Sequence, residues 1–134
     1  MDPKANILST IDDMTRAFHQ GDIDEIMKAY EPGAVVVGQP GMPLSGTAAL
    51  RSMFAGFIAA KARFTFLGHE VIHADDIALH LTPWRMGGVA PDGSAISASG
   101  LSVAVLRRQR DARWLMVIDD PFGDAVLNQA RSGE

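Results

Sequence analysis

The stretch Ala95–Arg107, AISASGLSVAVLR, constrains this chain more than any other. It is long, β-rich and free of charge until its last residue. A strand of that length needs a neighbour on each side. Upstream, Pro91-Asp92-Gly93 separates it from Ile77–Met86; downstream, Arg110-Asp111 separates it from Trp114–Asp119. Turn residues between β-rich runs signal hairpins. The reading is a three-strand antiparallel meander with the long run in the centre.

The rest of the chain supplies helices. Ile7, Leu8, Ile11, Met14, Ala17 and Phe18 recur at spacings of three and four, one stripe of a helix over residues 4–19. Gly21 stops it. Asp22, with Glu25 three positions on, opens a short second helix with Ile23, Ile26, Met27 and Tyr30 on its apolar face, ended by Pro32-Gly33. Ala34–Val37 is a β-branched strand, and Gly38–Pro43 is expected to be an irregular rim loop. Ser45 or Thr47 caps a third helix over about 47–60. Phe64–Leu67 and Glu70–His73 read as one strand, bulged at Gly68, and residues 124–130 form at most a weak helix. Helices segregated from an antiparallel sheet make an α+β domain, and residues 1–134 are taken as a single domain.

Composition narrows the function classes. Apolar residues make up 47% of 134, enough for a core. The net charge of −4 comes without a basic block, which argues against nucleic acid as partner. Cysteine is absent, so thiolate chemistry is excluded and a reducing compartment fits. No apolar run is long enough to span a membrane, and the polar N-terminus has no signal core, so the expected setting is cytoplasmic.

Three segments carry a family resemblance: Gly21–Tyr30, then Ala34–Val37, then Pro43-Leu44-Ser45-Gly46 opening a helix. With the ending Val105–Arg108, a turn and Arg113–Pro121, they resemble the nuclear transport factor 2-like superfamily, which includes ketosteroid isomerases and SnoaL-like proteins. The resemblance implies a cone-shaped α+β barrel of the cystatin-like type, helices packed in a strongly curved antiparallel sheet, with a pocket between them and a homodimer. It also permits a negative reading. The isomerases' aspartate base falls on Gly38, or Val37 with a different gap; their oxyanion tyrosine falls on Met14; their second oxyanion acid falls on Ala104. None of these replacements titrates, which argues against steroid isomerisation.

Alternation along strands then assigns faces. A two-residue turn at Asp92-Gly93 would set Ala104 opposite Leu81 and Ser102 opposite Pro83, and the resemblance puts the Ala104 face inward. That face would hold Leu79, Leu81, Gly100, Ser102 and Ala104, with Leu115, Val117 and Asp119 on the last strand. The outer face would carry His80, Thr82, Trp84, Leu101, Val103, Val105, Trp114, Met116 and Ile118. It is too apolar to be solvated, so a second copy of the chain is expected to cover it. Whether His80 and Arg85 face pocket or interface stays open.

Asp119 is the candidate catalytic residue, because a carboxyl in an apolar cavity is raised toward the working pH range. The resemblance adds that SnoaL-like cyclases use an acid near this end of the chain. Its bland alternative is a strand end capping the turn at Pro121. The candidate ligand-binding residues are Met14, Phe18, Phe54, Leu81, Ser102, Ala104 and Val117. Ser102 and Arg85 are the candidate polar partners of Asp119. His69, His73 and His80 match no metal-site spacing, and neither metal nor cofactor is expected. Two function classes follow: an isomerase, cyclase or hydratase of a polyketide- or steroid-like small molecule using one pocket carboxylate, or a non-catalytic ligand-binding or dimeric scaffold module.

Overall fold

The structure, a computed structural model, describes residues 2–132. Its elements are α1 (Pro3–Gln20), α2 (Ile23–Met27), β1 (Tyr30–Gln39), β2 (Met42–Ser45), α3 (Thr47–Ala59), β3 (Arg63–Phe66), β4 (Glu70–Ala74), β5 (Ile77–Val89), β6 (Ala95–Arg108), β7 (Trp114–Asp120) and α4 (Ala125–Ser132). One curved, open sheet runs β2-β1-β7-β6-β5-β3, with β4 also on β5. All pairs are antiparallel except β1 with β7. The long β6 is central to the β5–β6–β7 meander, as its composition requires.

Helix ends follow local chemistry. Asp2 caps α1 by accepting from Lys4 N, Pro3 occupies the first turn, and Gly21 closes the other end at φ 73°. The Asp22 side chain accepts from Glu25 N at 3.2 Å and caps α2. The core lies between the helices and the concave face of the sheet, and includes Ile7, Ile11, Ile26, Leu50, Leu106 and Met116.

Several expectations change. Tyr30 is the first residue of β1 rather than the last of a helical face, because α2 ends at Met27. The Pro32-Gly33 kink falls inside β1, where the pairing with β7 shifts register between Tyr30 and Val35. The rim segment is not irregular: Gln39 pairs with Met42 and Val37 with Pro43 around a Pro40-Gly41 turn. Pro43 is tolerated because β2 is an edge strand. Gly46, not Ser45 or Thr47, is the residue before α3, and no side chain caps that end. Ala125–Ser132 form a helix, α4, of eight residues rather than a weak one.

The largest correction is one of register. Val89 pairs with Ala95; inside that pair Ala90 N bonds Ser94 O at 2.8 Å and Gly93 N bonds Ala90 O at 2.9 Å. Gly93 has φ 87°. This is a three-residue Pro91-Asp92-Gly93 loop ending in a left-handed residue, not a two-residue turn. The extra residue moves every β5 partner by one, and a shift of one exchanges the faces of a strand. Ala104 therefore opposes His80, and Ser102 opposes Thr82. His80, Thr82 and Trp84 are buried on the inside, while Leu79 and Leu81 lie on the convex face and Arg85 is exposed there.

A second shift acts on β7. Val105 pairs with Ile118 but Leu106 pairs with Met116, so Val117 is the extra residue of a bulge. Trp114 and Met116 turn inward, at 2% and 1% exposure, instead of outward. Asp119, beyond the bulge, also faces inward.

Candidate active site

The helices and the concave face enclose a cavity of about 330 Å³. Its walls are mostly apolar and aromatic. Met14 and Phe18 come from α1, Met53, Phe54 and Phe57 from α3, and Phe64 and Phe66 from β3. It reaches the surface where the exposed residues Gln39 and Ala98 line it. An aromatic-walled hollow with few polar groups is the usual form of a small-molecule site.

Of the sequence candidates, Met14, Phe18, Phe54, Ser102, Ala104 and Asp119 line the cavity. Leu81 and Val117 do not: the three-residue loop puts Leu81 on the convex face, and the bulge removes Val117 from the inward alternation. At Gly100 the lack of a side chain admits Trp84, for a Cβ there would lie 3.0 Å from the indole and 3.1 Å from Pro121 O. The same indole donates to Pro121 O at 2.8 Å. At Gly38, where the isomerase base would stand, a Cβ would lie 3.0 Å from Leu44 Cδ1 and 3.3 Å from Met53 Sδ, so that corner is already filled.

The polar centre is a pair. Tyr30 Oη donates to Asp119 Oδ2 at 2.7 Å, both residues being buried. Neither Ser102 nor Arg85 is the partner. Burial pushes the Asp119 carboxyl up to about 6, with Asp120 adding to the rise and the Tyr30 hydroxyl opposing it. Burial, and then the adjacent carboxylate, push the Tyr30 phenol well above its ordinary range. At near-neutral pH the carboxyl can therefore be either acid or base while the phenol remains a donor.

A second polar group faces the same space. His80 is 1% exposed and lines the cavity, and its Nε2 lies 2.9 Å from His69 Nδ1. Burial first, and His69 second, hold His80 down to about 4, so it is neutral. His73 stands opposite Ala78 and is exposed, away from this pair. Among the described residues no three His, Cys, Asp or Glu side chains gather where they could hold a metal ion. No helix among the described residues is long and apolar enough to cross a membrane.

Sequence reasoning missed Tyr30 and His80. Tyr30 is the only tyrosine in the chain, and a buried phenol needs an acceptor, which was the available signal. His80 was hidden by the register error alone.

The family model of the SnoaL-like domain matches residues 11–115. The chain belongs to the SnoaL-like family. Solved structures agree on the fold, which is that of the nuclear transport factor 2-like and cystatin-like proteins. An uncharacterised protein with a cystatin-like fold from Caulobacter vibrioides is similar over 100% of both chains, at 16% identity and a TM-score of 0.76. A putative ketosteroid isomerase from Shewanella frigidimarina is similar over 84% of this SnoaL-like chain and 90% of its own, at 15% identity and a TM-score of 0.71. The calcium/calmodulin-dependent protein kinase II hub of S. rosetta matches over 90% and 95%, at 20% identity and a TM-score of 0.75. No curated protein matches the chain. The fold thus spans proteins described as isomerases and proteins described as association hubs.

Proposed function

We propose that this SnoaL-like cavity binds a small, largely apolar molecule and that Asp119 exchanges a proton with it, in a reaction of the isomerase, cyclase or hydratase type. The observation that carries this reading is a carboxyl buried in an aromatic hollow and hydrogen-bonded to a phenol. No lysine or arginine lines the cavity, and burial leaves the Asp119 carboxyl poised near neutrality, where an acid–base group works best. The Met14, Gly38 and Ala104 replacements direct the proposal away from steroid isomerisation.

The test is a panel of cyclic enones and phenols screened by ligand-observed NMR, with α-proton exchange followed in D₂O. Wild-type protein is expected to bind members of the panel and exchange their α-protons; Asp119→Asn should bind at least about tenfold more weakly and exchange none. Equal behaviour of the two proteins, or no binding by either, would refute the reading.

A second reading, self-association, rests on the convex face. Leu79, Val105, Ile118 and Val35 follow one another across four strands, with Ile72 beside Leu79 on β4. Ile72 is 54% and Ile118 44% exposed. The row differs from the expected one, since Trp84, Trp114 and Met116 are inside, but the face remains apolar. A second copy of the chain is the proposed cover, with or without catalysis within each copy.

A further inference from the structure

The His69–His80 pair has no part in the reading above, yet it joins the cavity to the outside. The two ring centroids are 5.2 Å apart and the planes differ by 25°. With the facing nitrogens 2.9 Å apart, that separation equals the gap plus about one ring's width, so the imidazoles meet edge to edge with a proton shared between them. The other nitrogen of His80, Nδ1, bonds no protein atom among the described residues. His80 itself lines the cavity, so the pair spans the wall between the hollow and the surface. His69 is exposed.

The connection is held in place. Leu67 N donates to Pro83 O at 2.8 Å, and the Thr82 hydroxyl donates to the Gly68 carbonyl. The Phe66 ring stands against His69 at 5.8 Å. Phe66 opposes Trp84 while Glu70 opposes Leu81, so the link between β3 and β4 carries one extra residue, and Gly68 at φ 153° accommodates it.

Ala104 opposes His80 on one side and Asp119 on the other. The imidazole and the carboxyl therefore flank one methyl group, their backbones two strand spacings or roughly 10 Å apart. The groups facing His80 are His69 from the β3–β4 link, Asp119 and Tyr30 beyond Ala104, and Thr82 beside it; Val71, opposite on β4, is apolar. No lysine or arginine lines the cavity.

We infer that His80 is the second proton-exchanging group of the cavity, that His69 is its positioning residue and outlet to solvent, and that the ligand seated over Ala104 carries an acidic hydroxyl or an enolisable C–H beside a carbonyl. This rests on the reading of the cavity as a small-molecule site. In the step, the ligand's O–H or C–H bond breaks and its proton joins His80 Nδ1. The proton on His80 Nε2 passes to His69 Nδ1, and the proton on His69 Nε2 leaves to water. Each ring makes one N–H bond and loses one, so both end neutral in the other tautomer. The electron pair stays on the ligand oxygen, where the protonated Asp119 carboxyl donates to it. His80 is neutral, so one of its ring nitrogens is free of a proton while the other carries one.

Ring-nitrogen NMR on the ¹⁵N-labelled full chain, with 4-nitrophenol as probe, tests this. Free protein should show His80 protonated at Nε2 and bare at Nδ1, with scalar coupling across the bond to His69. Saturation with 4-nitrophenol should move the His80 Nδ1 resonance toward the protonated position. His80→Gln should weaken the probe about tenfold. His69→Phe, at an exposed site and so safe for folding, should remove the tautomer preference of His80 and weaken the probe about threefold. Binding lost in Asp119→Asn but unchanged in both histidine variants, or an unmoved His80 ring, overturns this inference and leaves the small-molecule reading standing. Failure of the wild-type chain to bind 4-nitrophenol overturns the ligand class named here.

Discussion

Tyr30 Oη and Asp119 Oδ2 lie 2.7 Å apart although 89 positions separate them in the chain. The parallel pairing of β1 with β7 brings them together, for Tyr30 opposes Met116 just before the bulge that aims Asp119 inward. The bond is the one influence that lowers the Asp119 pKa against burial and Asp120. Tyr30→Phe should therefore raise it further above about 6. Titration of the ¹³C-labelled carboxyl reads this directly, and an unchanged or lower value would show that the phenol does not stabilise the carboxylate.

Acid–base equilibria should leave an unusual mark on stability. Asp119 moves from 3.8 in the unfolded chain to about 6 when folded. The folded state binds more protons in that window, so this group's contribution falls as pH rises through it. His80 moves from 6.5 to about 4, binds fewer protons when folded, and contributes stability that rises with pH between those values. The slopes oppose each other from about pH 4 to 6, each amounting to about 3 kcal/mol over its window. Urea unfolding of Asp119→Asn should show stability climbing by about 3 kcal/mol from pH 4 to 6.5 relative to wild type, and His80→Gln should show the reverse trend. Curves parallel to wild type would refute the assignment.

The β6–β7 turn places a non-glycine residue in left-handed backbone. Gln109 N bonds Arg113 O at 2.7 Å around Arg110-Asp111-Ala112, and Ala112 has φ 72°. The Pro91-Asp92-Gly93 loop, otherwise alike, has glycine at that position. Ala112→Gly relieves the strain at an exposed site and should stabilise the fold by about 1 kcal/mol. A lowered melting temperature would contradict this.

Self-association through the convex face predicts a clean disruption. Val105 sits between Leu79 and Ile118 in the apolar row. Val105→Asp would bury an uncompensated charge in any interface of roughly 1,000 Å² formed there. Sedimentation at micromolar concentration should show an oligomer for wild type and a monomer for the variant. A wild-type monomer would dispose of the idea.

Local signals in the sequence read well where physics is local. The α1 stripe, the Asp22–Glu25 cap, Gly21 and the long central strand all specify their own neighbourhoods. Faces read poorly, because they depend on parity and parity depends on single residues. The Asp92-Gly93 pair carries a strong turn signal in either loop length, and Val117 carries no mark of a bulge. Asp119 points inward, but in the company of Met116 and Trp114 rather than Val117 and Leu115. Tyr30 required knowledge of a parallel pairing that no hairpin signal announces.

Surface loops ordinarily absorb insertions and deletions, yet Pro91-Asp92-Gly93 should resist them. Deleting one of its residues would convert it to the two-residue form and rotate β5 by half a turn. Leu79, Leu81 and Pro83 would then wall the hollow, and His80, Thr82 and Trp84 would meet solvent. The chemistry of the cavity is thus written in a length, about 20 Å or more of strand away from where it acts, and a single codon lost there would erase it while leaving every residue of β5 unaltered.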